Sequence, residues 1–149
     1  MIVEAQVTIR GSRSAVWAAI TDIEDAAEIL SSVEKIEVRE RPAHGFVGLR
    51  WRETRILFGK PATVEKWIAA AAENELCETR AEDSGFVFVS TLRVSESQGV
   101  TTLTSTHHSR PQGLVARFLS TPMMFFFKGV TKKALLQDLN DIKTAVERA

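Results

Sequence analysis

Between residues 2 and 10 the chain alternates Ile2, Glu4, Gln6, Thr8 and Arg10 with Val3, Ala5, Val7 and Ile9. That is the period-2 pattern of a half-buried strand whose polar side faces water. After Gly11, Ser12 can cap a short helix with Val16, Trp17 and Ile20 on one face, and Asp22 can cap a second over 23–30. Strand patterns follow near 33–41, 47–57, 62–72, 75–82, 85–95 and 100–109. Turn signals separate them at Ala43-His44-Gly45, Phe58-Gly59-Lys60-Pro61, Asp83-Ser84-Gly85 and Ser97-Gln98-Gly99. Turns this short join antiparallel neighbours without a crossover, so the six strands predict a meander.

From Gly113 the period becomes helical. Phe127, Leu135, Leu139, Ile142 and Val146 fall on one face, and Lys132, Lys133, Gln137, Asp138 and Lys143 largely elsewhere. Pro122 predicts a kink, or a stop and restart with Thr121 as cap and Pro122 in the first turn. Ser109 to Gly113 reads as the linker from the last strand. One strand, two short helices, a six-strand meander and a long terminal helix make an α+β domain spanning 1–149.

The segments "SRSAVWAAITDIEDAAEIL", "GLRWRETRILFGKPATVEKW" and "MMFFFKGVTKKALLQDLNDIKTAVE" resemble the polyketide cyclase/dehydrase and lipid-transport family of the START/Bet v 1-like (SRPBCC) superfamily, across essentially the whole chain. The resemblance implies a helix-grip fold. In it a seven-stranded curved antiparallel sheet wraps a long C-terminal helix, and two short helices after the first strand close one end. It does not choose among carriers, hormone binders, cyclases and adaptors.

Charge changes the picture of partners. Lys+Arg and Asp+Glu both number 19, so no overall field attracts nucleic acid or an anionic membrane. The single Cys77 excludes an internal disulfide. The start of the chain has neither the basic opening nor the long apolar run of a signal peptide, which predicts a cytoplasmic protein. No phosphate loop, HExxH, CxxC, GxSxG or calcium-loop motif is present, and neither a metal nor a cofactor is expected.

Candidate chemistry is therefore diffuse. His107 and His108 point to opposite faces of a strand and cannot share a metal. His107 has the parity of Leu103 and is assigned to the inside, either as a hydrogen-bonded wall residue or as a ligand contact. In the strand over 47–57, Trp51, Glu53 and Arg55 share a face. A three-residue turn pairing Leu57 with Pro61 would set Trp51 opposite Trp67, Glu53 opposite Glu65 and Arg55 opposite Thr63. The two carboxylates would then need Arg55 or a shared proton. The alternative is a solvated outer face with ordinary cross-strand ion pairs, and a one-residue change of register swaps the faces.

Phe86, Phe88, Ser90, Leu92 and Val94 form the side expected to be concave. A helix-grip sheet curves more than one helix fills, which predicts an apolar cavity. Trp51, Trp67, Phe86, Phe88, Leu92, Leu103, His107, Met123, Met124 and Phe127 are the expected ligand-lining residues. The adjacent bulky residues Met123 to Phe127 cannot all face one core, and a peripheral membrane contact or a homodimer would occupy the rest. The function expected is binding or transport of a hydrophobic small molecule such as a lipid, isoprenoid or polyketide-like compound. The alternatives are a cyclase or dehydratase using Glu53, Glu65 or His107 with Arg55 polarising an oxygen, and an adaptor or membrane-associated protein docking through Met123 to Phe127.

Overall fold

The computed structural model describes residues 1–114 and 121–149. Strand β1 (Ile2–Arg10) leads to helices α1 (Arg13–Thr21) and α2 (Ala26–Ile29). Strands β2 (Val33–Glu40), β3 (Arg50–Leu57), β4 (Lys60–Ala72), β5 (Leu76–Asp83), β6 (Phe86–Ser97) and β7 (Val100–Pro111) follow, then helix α3 (Thr121–Arg148). The seven strands form one antiparallel sheet in the order β1-β7-β6-β5-β4-β3-β2. It is the expected meander, with β1 added beside β7, and the curved sheet with its long C-terminal helix is the helix-grip arrangement.

Local chemistry sets the ends of these elements. Ser12 caps α1, its hydroxyl accepting from the Ala15 amide at 3.1 Å. Asp22 does not cap α2: it stands at the C-terminal end of α1, and α2 begins after Asp25. The second helix is shorter than its sequence pattern because Ile23 to Asp25 form a connecting turn, in which the Ala26 amide donates to the Ile23 carbonyl at 3.2 Å. At the other end β7 continues to Pro111, so three of the five residues of the expected linker are strand, and Gly113 lies in a turn at φ 57°. The helix expected over 115–120, and the capping role of the Thr121 side chain, lie outside the described residues. Pro122 occupies the first turn of α3, where its missing donor leaves no intrahelical bond unmade.

The β3–β4 register corrects the expectation from the sequence. Leu57 pairs with Lys60, not Pro61, and the loop is the two residues Phe58 and Gly59, at φ 53° and 77°. Positive φ at both central positions is the type I′ hairpin geometry, which matches the twist of the strands it joins. Everything upstream shifts by one residue: Trp51 pairs with Lys66, Arg50 with Trp67, Arg52 with Glu65 and Glu53 with Val64. Trp51 and Trp67 therefore lie on opposite faces of the sheet, as do Glu53 and Glu65.

Two apolar clusters hold the helices to the concave face. In one, Leu139, Ile142 and Val146 of α3 meet Ala5 and Ile9 of β1, Val16 and Ile20 of α1, Val94 and Leu103. In the other, Leu49, Trp51, Ile68 and Cys77 pack beneath Trp17 and Ile23. Burial of each large side chain stabilises by about 1.5–3 kcal/mol, and the two clusters leave an unfilled space between them.

Candidate ligand cavity

That space is a cavity of about 370 Å³ between α1, α2 and α3 and the inner faces of β3 to β7. Strand alternation determines what reaches it. Trp51, Glu53, Arg55 and Leu57 enter from β3, Val64 and Lys66 from β4, Cys77, Thr79 and Ala81 from β5, Phe88, Ser90 and Leu92 from β6, and Ser105 and His107 from β7. The pairings Thr79 with Ser90 and Ser90 with His107 lay a row of polar groups straight across three strands. Helix α3 closes the space with Leu135, Asp138, Leu139 and Ile142. A smaller hollow of about 180 Å³ adjoins it, shares Phe88 and His107, and is bounded by Phe86, Met124 and Phe127.

Glu53 is only 4% exposed and is the centre of a charged network. Its Oε2 accepts from Arg55 Nε and Lys66 Nζ, each at 2.6 Å, and its Oε1 from Trp51 Nε1 at 3.3 Å. Arg55 continues to Asp138 of α3, Nη2 to Oδ2 at 2.9 Å and Nη1 to Oδ1 at 3.1 Å, and to Ser32 Oγ at 2.9 Å. Burial alone would raise the Glu53 pKa, but Lys66 and Arg55 outweigh it and bring the carboxyl down to about 2. Burial likewise opposes the Arg55 charge, while Glu53 and Asp138 hold it firmly protonated. Two carboxylates and two cations close on each other, so the network brings polarity without net charge.

His107 faces this network across the cavity. Its Nδ1 shares a hydrogen bond with Ser90 Oγ at 2.7 Å, and its ring stacks on Phe88 with centroids 5.6 Å apart. Burial first, then the positive charges of Lys66 and Arg55, lower its pKa to about 4, so the imidazole is neutral at physiological pH. Burial also pushes the Cys77 thiol up to about 11, against a hydrogen bond from Thr79, which leaves it protonated and a poor nucleophile. Among the described residues no group of His, Cys, Asp or Glu is arranged to hold a metal ion.

The expected lining residues separate accordingly. Trp51, Phe88, Leu92 and His107 line the main cavity, and Phe86, Met124 and Phe127 line its neighbour. Leu103 does not: it is 0% exposed within the packed cluster around Leu139, so the end of the sheet near the β6–β7 turn is solid and the cavity lies nearer the β3–β4 and β5–β6 turns. Trp67 is on the convex face under the Arg50 guanidinium, 4.5 Å from its ring centroid. Glu65 lies there too, 3.6 Å from Arg50, and cannot share a proton with Glu53. Met123 is 43% exposed and borders neither hollow.

The sequence reading missed Lys66 and Asp138. The register slip turned Lys66 outward. Asp138, grouped by the sequence pattern with the residues off the apolar face, instead lines the cavity, because Leu135, Asp138, Leu139 and Ile142 follow the i, i+3, i+4, i+7 spacing of a single helix face.

This architecture and cavity place the chain among the helix-grip proteins, and comparison makes the assignment specific. Residues 1–147 match the family described as polyketide cyclase / dehydrase and lipid transport, and the chain belongs to it. A search of curated proteins by sequence found no match. Among solved structures, Zhui aromatase/cyclase from Streptomyces sp. R1128 is similar at 21% identity, with 99% of this chain and 94% of that one covered and a TM-score of 0.82. A START superfamily protein from Mycobacterium smegmatis is similar at 15% identity, 99% and 97% coverage and a TM-score of 0.82. Ara h 8.0201 aligns at 15% identity over 100% and 99% of the two chains with a TM-score of 0.68. These likenesses concern the fold.

Proposed function

We propose that this chain binds and carries a hydrophobic small molecule, such as a lipid, isoprenoid or polyketide-like aromatic compound, in the cavity between α3 and the sheet. The observation that carries the reading is the space itself. At about 370 Å³ it falls within the roughly 300–1,000 Å³ typical of small-molecule pockets, with apolar walls and a few convergent polar groups. The Ser90–His107 pair and Lys66 are suited to orient one polar end of a ligand, and the internally balanced network with a neutral His107 favours an uncharged one. The family description, which includes lipid transport, supports the same reading. Native mass spectrometry of freshly purified protein tests it. The expected spectrum shows one retained small molecule, or uptake of one equivalent of the neutral probe N-phenyl-1-naphthylamine. Neither retention nor uptake would count against it.

A second reading is cyclase or dehydratase chemistry. It is supported by the neutral, hydrogen-bonded His107 inside the cavity, placed to accept a proton beside a ligand carbonyl, and by the similarity to an aromatase/cyclase. Glu53 is unsuited to that role, since its two cations keep it ionised, and the Arg55 guanidinium is engaged by Glu53, Ser32 and Asp138. Turnover of a polyketone that survives His107→Ala would exclude His107 as its base.

A further inference from the structure

Phe58 is 77% exposed at the tip of the β3–β4 hairpin and holds φ 53°. A large aromatic there is unfavourable twice. Type I′ turns favour Asn, Asp or Gly at that position, and an apolar ring in water gains nothing from folding. The other two hairpins at this sheet's tight turns place Ser84 and Gln98 at the equivalent site. Across the cavity opening, the first turns of α3 expose Phe125 at 71% and Phe126 at 59%. The two elements are remote in sequence but lie at the same end of the sheet. Leu57, at the hairpin, lines the main cavity, and Phe127 of α3 lines the hollow that adjoins it.

We propose that this end is a membrane-docking surface, which inserts Phe58, Phe125 and Phe126 into the interface of a bilayer containing anionic lipid. Two observations favour a bilayer over a second copy of the chain. The apolar groups form two separate prongs on either side of an opening, which suits a deformable phase better than a flat protein face. Each prong carries a lysine beside its aromatic residues, Lys60 and Lys128, the pairing that anchors peripheral proteins at anionic headgroups. Among the described residues no helix is long and apolar enough to cross a membrane, so the contact is peripheral. The inference rests on the carrier reading in one respect: the cavity opens within the docking surface, so a ligand passes between lipid and protein without entering water.

Vesicle co-sedimentation tests it, using phosphatidylcholine vesicles with and without phosphatidylglycerol. The full chain is expected to sediment with the mixed vesicles and to be released by salt. Phe58→Asn is expected to weaken partitioning by roughly tenfold, as for removal of one buried aromatic side chain, while leaving the melting temperature unchanged or higher, because Asn suits the turn. Phe126→Ser should weaken partitioning similarly, and Lys60→Glu with Lys128→Glu should abolish the preference for phosphatidylglycerol. Binding of N-phenyl-1-naphthylamine in solution should persist in Phe58→Asn, which separates loss of docking from loss of the cavity. Absence of sedimentation with either vesicle, or a concentration-dependent dimer dissolved by Phe58→Asn, would overturn the proposal.

Discussion

Arg55 of β3 and Asp138 of α3, 83 residues apart, form a two-pronged ion pair across the cavity, at 2.9 and 3.1 Å. Paired, parallel N–H to oxygen bonds fix orientation as well as distance. Both side chains are about one-fifth exposed, so water screens the pair only in part. It ties the helix to the sheet where there is no packed apolar core to do so, and it keeps the cavity walls apart and in register.

Removing the centre of this network should be costly. Glu53→Gln leaves Arg55 and Lys66 as partly buried cations short of a carboxylate, and breaking a buried pair in this way costs about 3–5 kcal/mol. Asp138→Ala removes a more exposed partner and should cost about half as much or less. Denaturant titrations of the two variants check the order; equal or negligible losses would mean that water already screens the network.

Acid should destabilise the fold in two stages. His107 is lowered from 6.5 to about 4, so unfolding allows it to take up a proton. Its contribution is complete above pH 6.5 and is lost as pH falls toward 4. Glu53 is lowered from 4.5 to about 2, so its contribution is complete above pH 4.5 and is lost as pH falls toward 2. Each amounts to at most on the order of 3 kcal/mol. Melting temperatures of His107→Phe should lack the first stage and keep the second. NMR titration of the wild-type ring should show it neutral at pH 6; a midpoint near 6.5 would contradict the assigned burial.

Leu139 is 1% exposed at the middle of the cluster where α3 meets β1 and α1. Leu139→Asp would bury an unpaired charge, at a cost of several kcal/mol against a total stability of about 5–15 kcal/mol. The variant should be largely unfolded by circular dichroism. A melting temperature within a few degrees of the wild type would mean that the sheet does not grip this helix.

Most of the fold was legible because its signals are local: alternation gives strands, turn residues give hairpins, and a change of period marks α3. Phe58 shows where that fails. Ser84-Gly85 and Gln98-Gly99 read as tight turns because each joins polar residues, Ser84 or Ser97-Gln98, to a glycine that tolerates positive φ. Phe58-Gly59 adopts the same geometry against the preference of Phe, and lengthening that turn by one residue turned Trp67 and Glu65 inward and Lys66 outward. Leu103 and His107 share a strand face, and alternation predicts that face for both. Only three dimensions show that α3 covers Leu103 and leaves His107 beside open space. Asp138 was grouped off the apolar stripe on its charge although its spacing fits that face, and its partner Arg55 lies on another element, so the pairing is not encoded in spacing.

Thr79 stands at one end of the inner polar row and lines the cavity, which makes it the position from which to close that space. The decisive measurement is a titration of N-phenyl-1-naphthylamine, followed by quenching of Trp51, on wild-type protein and Thr79→Phe. Trp51→Phe removes that signal and identifies it. The account predicts one site in the wild type and at least roughly tenfold weaker binding in a folded Thr79→Phe, whose ring fills the space the probe needs. Unchanged affinity in folded Thr79→Phe would put the probe on the outer surface and contradict an internal ligand site.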